Sequence, residues 1–176
     1  MIFQETALSG AFLIQMETSD DERGFFGRLY CRQDFAPLNF PGEIVQSNVS
    51  YNRKRATLRG MHYQAEPFAE AKIVACMHGA FYDVIIDLRQ GSPTYKRWTA
   101  AEISAVNKRC FYIPEGFAHG FQTLEDDTTI LYMMSQYYQP EYARGVRWDD
   151  PAFGIKWPFK EPLMSEKDRL LPDFTG

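Results

Sequence analysis

Apolar and polar positions alternate with a period of two over many short stretches of this chain, and those stretches are rich in Val, Ile, Tyr, Phe and Thr. A period of two puts every second side chain on the same face of an extended backbone, so each stretch reads as a strand with a face to bury. The pattern predicts strands over Ala11–Met16, Phe25–Cys31, Glu43–Ser50, Thr57–Gln64, Lys72–Met77, Phe81–Leu88, Lys96–Ile103, Arg109–Ile113, Gly120–Leu124 and Thr128–Ser135. Turn formers separate them, among them Gly79, Gln90-Gly91-Ser92-Pro93, Pro114-Glu115-Gly116 and Glu125-Asp126-Asp127. Only Arg32–Leu38 and Ser104–Asn107 read as briefly helical. The tail from Asp149 onward carries Pro151, Pro158, Pro162 and Pro172 and is expected to be irregular, wrapping the sheets. Strands this short and this frequent predict an all-β sandwich or barrel. No linker, repeat or charge block interrupts the pattern, so residues 1–176 are expected to form one domain.

Composition fits a packed fold. With 176 residues, 45% of them hydrophobic and 15% aromatic, the chain is long enough to bury about 70% of its unfolded surface without a disulfide or metal staple. A net charge of −4 gives no electrostatic footprint for nucleic acid. Cys31, Cys76 and Cys110 are odd in number and far apart, without the close spacing of a zinc or redox motif, and read as three reduced thiols. The opening MIFQETALSG lacks a basic start followed by a long apolar run, and no segment approaches the roughly 18 apolar residues of a membrane span. The expected setting is the cytoplasm, away from membranes.

Candidate chemistry is densest in Leu58-Arg59-Gly60-Met61-His62-Tyr63-Gln64. Strict alternation puts Leu58, Gly60, His62 and Gln64 on one face and Arg59, Met61 and Tyr63 on the other. His62 then has a glycine and an amide as same-face neighbours, a setting that suits a base near neutral pH, given histidine's unperturbed pKa of about 6.5. A second region, Ile113-Pro114-Glu115-Gly116-Phe117-Ala118-His119-Gly120-Phe121, resembles the second signature of the cupin jelly rolls. Pro114 fixes the turn, Gly116 permits unusual dihedrals, and His119 starts the next strand facing the barrel interior. In many cupins such a histidine binds metal. Here the histidine pair of the first signature is absent, because the chain has only His62, His78 and His119. A two-histidine iron site completed by carboxylates stays open as an alternative.

Six motifs together resemble the dTDP-4-dehydrorhamnose 3,5-epimerase family. They are Asp21-Glu22-Arg23-Gly24-Phe25-Phe26, the Leu58–Gln64 and Ile113–Phe121 stretches, Tyr137-Tyr138-Gln139-Pro140-Glu141, Trp148-Asp149-Asp150-Pro151 and Ser165-Glu166-Lys167-Asp168-Arg169, in the expected order over essentially the whole chain. The resemblance implies a jelly-roll homodimer with shared active sites. It implies inversion of carbons beside the 4-keto group of a nucleotide-diphosphate-linked 4-keto-6-deoxyhexose, without metal or organic cofactor. His62 takes the place of the base, Asp168 that of the carboxylate that orients and charges it, Tyr132 that of the acid on the opposite face, and Lys72 that of the cation near the developing oxyanion. A ketone acidifies the hydrogens on both adjacent carbons, so a base, an opposed acid and a fixed positive charge are the groups such chemistry needs.

For binding, the resemblance implies Arg23 and Arg59 at the diphosphate and neighbouring sugar groups, where planar guanidinium forks suit phosphate oxygens. Gln46 and Asn48 take the positions that read the base, His119 lies near the sugar-phosphate portion, Tyr138 stands by the sugar ring, and Lys167 is a further contact. Arg23 and Phe26 are lent across the dimer. The family usually has a glutamate where Arg28 stands, an aspartate at Ser47 and a glutamate at Ala143. Each departure removes a carboxylate from the nucleotide end, which makes Arg28 a candidate contact and suggests another nucleotide or inversion of carbon 3 or carbon 5 alone. A keto-isomerase on the same fold, a metal-dependent cupin enzyme and a non-catalytic sugar-nucleotide binding module are the competing readings.

Overall fold

The structure, a computed structural model, describes residues 1–38, 40–41 and 43–176. In chain order the strands are β1 (Ile2–Glu5), β2 (Phe12–Gln15), β3 (Thr18–Asp21), β4 (Gly24–Gly27), β5 (Gln46–Asn52), β6 (Leu58–Gln64), β7 (Lys72–His78), β8 (Ala80–Asp87), β9 (Trp98–Ser104), β10 (Arg109–Ile113), β11 (Phe117–Thr123), β12 (Thr128–Met134) and β13 (Ala143–Gly145). One antiparallel sheet has the order β1-β2-β10-β7-β12-β5, and a second has β13-β6-β11-β8-β9. They face each other as a jelly-roll sandwich, with β3 and β4 as a separate hairpin.

The alternation seen in the sequence is what fills three apolar layers. Val74, Phe81, Ile85, Phe111, Phe121 and Ile130 come from both sheets and form the layer between them. Their neighbours Ile73, Ala75, Cys110 and Tyr112 point to the outer face of the first sheet, where Leu29, Tyr30, Phe35 and Phe40 cover them. Val84, Ile86 and Ala118 point to the outer face of the second sheet, under Phe153, Trp157 and Phe174 of the tail. The tail therefore wraps the sandwich as expected, but it also holds a one-turn helix, α2 (Glu166–Arg169), which prolines on either side conceal in the sequence.

Every expected strand overlaps an observed one, and the differences have local causes. The stretch Phe25–Cys31 stops being strand at Gly27, because Leu29 and Tyr30 turn to the outer apolar layer. Arg32–Leu38 is helical, as α1 (Arg32–Phe35) followed by a 3-10 turn. Over Ser104–Asn107 the chain ends β9 at Ser104 and turns instead of forming a helix, with Ser104 N donating to Asn107 Oδ1 at 3.0 Å and Asn107 N donating to Ser104 Oγ at 2.9 Å. Strands β1, β3 and β13 carry little signal, since β3 is the polar Thr-Ser-Asp-Asp and β13 has three residues.

The face assignment made from strict alternation in Leu58–Gln64 is wrong at its centre. His119 pairs with His62 and Phe121 with Arg59, so Gly60 and Met61 together oppose the single Gly120. This bulge adds one residue to β6 and shifts the side-chain phase by one. Arg59 and His62, three apart, consequently line the same cavity, while Met61 packs on the outer face with Val84 and Ala118. Both glycines are sterically required. A Cβ on Gly60, which has φ of +122°, would stand 2.5 Å from Gly120 Cα, and one on Gly120 would stand 2.6 Å from Met61 Sδ.

Candidate active site

Between the two sheets lies an open cavity of about 410 Å³. Asn48 and Ser50 reach it from β5, Lys72 from β7 and Tyr132 and Met134 from β12, all on the first sheet. From the second sheet come Arg59 and His62 on β6 and His119 and Phe121 on β11, and Lys167 and Asp168 on α2 close the rim beside Tyr138. A second cavity of about 330 Å³ shares His62, Glu70, Tyr138 and Lys167 with the first and extends to Ala143 and Arg144.

Two histidines each face a buried carboxylate. His62 Nε2 donates to Asp168 Oδ1 at 2.7 Å, and the Asp168 side chain is only 7% exposed. With the proton held on Nε2 by that carboxylate, Nδ1 keeps a lone pair available to a ligand. Burial alone would raise the Asp168 carboxyl, but the hydrogen bond and charge of His62, the Ser165 hydroxyl and the Gly60 backbone together hold it below the usual range. Ser165 caps α2 by accepting from Asp168 N at 3.1 Å, which fixes the turn that aims the carboxylate. His119 Nε2 donates to Asp83 Oδ1 at 2.6 Å. Asp83 is fully buried and its Oδ2 has no hydrogen-bond partner, so burial raises its carboxyl, with His119 and Lys72 opposing.

Tyr132 stands edge-on to His119, with ring centroids 5.9 Å apart, and tilted against Phe121. Burial pushes its phenol far up, the negative charge of Asp83 adds to this, and Arg59 opposes it. Tyr132 is therefore a neutral O–H donor throughout the physiological range. Lys72 Nζ is paired with Glu70 Oε1 at 2.9 Å, both side chains almost buried. Glu70 Oε2 in turn accepts from Gln64 Nε2 at 3.2 Å. Among the described residues, no three side chains of His, Cys, Asp and Glu are gathered as they would be to hold a metal ion. Among them, too, no helix is long and apolar enough to cross a membrane.

The fold thus brings together His62, Asp168, Tyr132, Lys72, Arg59, Asn48, His119, Tyr138 and Lys167. Gln46 stands beside the cavity, accepting from Tyr138 N at 3.1 Å. Arg23, Phe26 and Arg28 are elsewhere: the β3–β4 hairpin projects with Phe26 82% exposed, Arg23 is tied to Asp21, and Arg28 is 3.6 Å from Asp34. Sequence reasoning missed Asp83 and Glu70. Asp83 did leave a signal, as a lone carboxylate at an inward position of the apolar run Phe81-Tyr82-Asp83-Val84-Ile85-Ile86.

The sequence profile of the dTDP-4-dehydrorhamnose 3,5-epimerase family matches residues 5–176. A dTDP-4-dehydrorhamnose 3,5-epimerase from Sinorhizobium fredii is 42% identical over 173 residues, covering 98% of this chain and 89% of its own. The crystal structure of the Bacillus anthracis enzyme of that name, with thymidine diphosphate and pyrophosphate bound, superposes with a TM-score of 0.95 at 41% identity, covering 98% of this chain and 99% of the other. A dTDP-6-deoxy-D-glucose-3,5-epimerase from Legionella pneumophila, in complex with dTDP-4-keto-L-rhamnose, gives a TM-score of 0.90 at 32% identity, covering 99% of each chain.

Proposed function

The chain belongs to the dTDP-4-dehydrorhamnose 3,5-epimerase family, and from that premise we propose that it inverts carbon 3, carbon 5 or both of a nucleotide-linked 4-keto-6-deoxyhexose by proton transfer between His62 and Tyr132. The observation that carries this reading is the placement of a base and an acid on opposing sheets around one cavity. His62 Nδ1 takes the proton from a carbon beside the ketone, and Asp168 stabilises the imidazolium that forms. The electron pair moves to the ketone oxygen, and the Lys72 ammonium stabilises the resulting enolate. Tyr132 then gives its proton to the other face of the same carbon, which inverts it. Burial keeps the phenol protonated until the enolate is there to receive the proton. His119, held by Asp83, packs edge-on against Tyr132 and fixes the direction of its ring.

Arg59 and Lys167 supply the positive charge for the diphosphate, and Asn48 with Gln46 faces the base. Arg23 and Phe26 serve the cavity of a second subunit in a homodimer. Their exposure, and the edge of β5 next to the cavity, unpaired among the described residues and with Val49 and Tyr51 exposed, support that exchange.

The test is incubation with thymidine-diphosphate-linked 4-keto-6-deoxyglucose in heavy water with a chelator present. Deuterium is expected at carbon 3, carbon 5 or both, at a rate the chelator does not change. Binding without any exchange would instead identify a sugar-nucleotide binding module, and a chelator-sensitive rate restored by a divalent metal would identify a metal-dependent enzyme.

A further inference from the structure

The β3–β4 hairpin pairs with no other strand among the described residues. A lone two-stranded hairpin is marginal in water, so its angle to the body has to be fixed from outside. Lys108 does this. Its Nζ lies 4.1 Å from the centroid of the Phe25 ring on β4, 3.2 Å from Thr18 Oγ1 and 3.4 Å from Asp20 Oδ1 on β3, so one ammonium grips both strands. The Lys108 side chain is only 22% exposed. Its backbone is fixed too: at φ of 55° it ends the turn after β9, its N–H donates to Ser104 O at 3.1 Å, and its carbonyl accepts from Met16 N at 3.0 Å. The anchor therefore joins the hairpin to the framework of the first sheet through β2 and β10. At the far end, Asp21 holds the Arg23 guanidinium and Phe26 stands outward, and neither Arg23 nor Phe26 lines this chain's own cavities.

We infer that Lys108 is a positioning residue for substrate binding, acting through the β3–β4 hairpin on the cavity of the partner subunit. This rests on the homodimer reading above. Lys108 touches no part of the cavity, so its effect belongs to the arrival and orientation of the nucleotide end and not to the proton transfers.

Lys108→Met keeps the aliphatic stem and removes the charge, releasing ring, hydroxyl and carboxylate at once. The expected result is a KM for the thymidine-diphosphate-linked keto sugar raised by about fivefold or more with kcat within about twofold of native. Lys108→Arg, which keeps a cation able to stack and donate, should restore the KM. A native KM in Lys108→Met overturns the role of Lys108, as does a fall in kcat without a change in KM.

Hybrid dimers then assign the cavity the hairpin serves. In a dimer of a His62→Ala chain with a Lys108→Met chain, the one working cavity receives a hairpin whose Lys108 is intact, and a native KM is expected. In a dimer of a native chain with a His62→Ala/Lys108→Met chain, the one working cavity receives the released hairpin, and the raised KM is expected. The reverse pattern, raised in the first hybrid and native in the second, shows that each hairpin serves its own chain. That outcome overturns the exchange between subunits and leaves Lys108 in its role.

Discussion

Three of the basic side chains in the cavity each face a carboxylate: His62 with Asp168, His119 with Asp83 and Lys72 with Glu70. Arg59 differs, since its Nε donates to the neutral Asn52 Oδ1 at 2.8 Å. Arg59 and Lys167 form no ion pair among the described residues, and they are the cavity cations that a diphosphate would meet. Arg28 is a residue of another kind, exposed and 3.6 Å from Asp34. Where a glutamate would accept a hydrogen bond, arginine only donates. Arg28 lines neither cavity of its own chain, so it can meet a nucleotide only at the cavity of a second subunit, where a group left unpaired by that reversal costs about 1–3 kcal/mol, or about 5–150-fold in affinity. Arg28→Glu is therefore expected to raise the preference for thymidine diphosphate over uridine, cytidine and guanosine diphosphates by about fivefold or more, read by calorimetric titration. A strong native preference for thymidine diphosphate that the variant leaves unchanged would put Arg28 outside the site. His62 and His119 sit in informative local motifs, whereas Lys72 and Tyr132 lie in none of the six and are named only through the family resemblance. Asp168, 106 residues from His62, is named as its partner only through the resemblance, and Asp83, 36 residues from His119, was missed, because only the folded chain closes such separations.

At the scale of the element, the alternation rule located β6 and misassigned its centre. Two small residues, Gly60 and Gly120, allow the backbones to approach closely, and the bulge there turns Arg59 to the same side as His62. Nothing in a period-two pattern announces an added residue. The end of β8 shows the opposite case, a turn whose chemistry is plain in Asp87, Arg89, Ser92 and Thr94. Burial works to raise the Asp87 carboxyl, but hydrogen bonds from Arg89, Ser92 and Thr94 outweigh it and hold the group at about 2 against an ordinary 3.8. The native state thus favours the carboxylate more than the unfolded chain does. Its contribution is complete above the unfolded pKa of about 4 and is lost as pH falls toward 2. Asp87→Asn should cost about 1–3 kcal/mol at neutral pH. In urea unfolding, the gap between native and variant should hold constant above about pH 5 and close between about pH 4 and 2. A gap that persists unchanged at low pH would assign the loss to packing.

At the scale of the whole molecule, strand spacing was enough to read an all-β sandwich, whereas the order of strands was not. The site depends on that order. Pairing of β12 with β5 and β7 and of β11 with β6 and β8 sets Tyr132 and His62 on facing sheets, although 70 or so residues of chain separate them. The hairpin and the β5 edge, outward in one chain, are the parts to which the proposed homodimer assigns a purpose. The opposed placement of base and acid is most directly tested by comparing hydrogen exchange with inversion in two variants in heavy water. His62→Ala should lose both exchange and turnover by about 10²–10⁴-fold, the usual contribution of a general base. Tyr132→Phe should lose inversion while retaining exchange at the original face, because His62 still removes a proton and returns one. Near-native inversion by Tyr132→Phe, or undiminished exchange in His62→Ala, would contradict the two-wall mechanism.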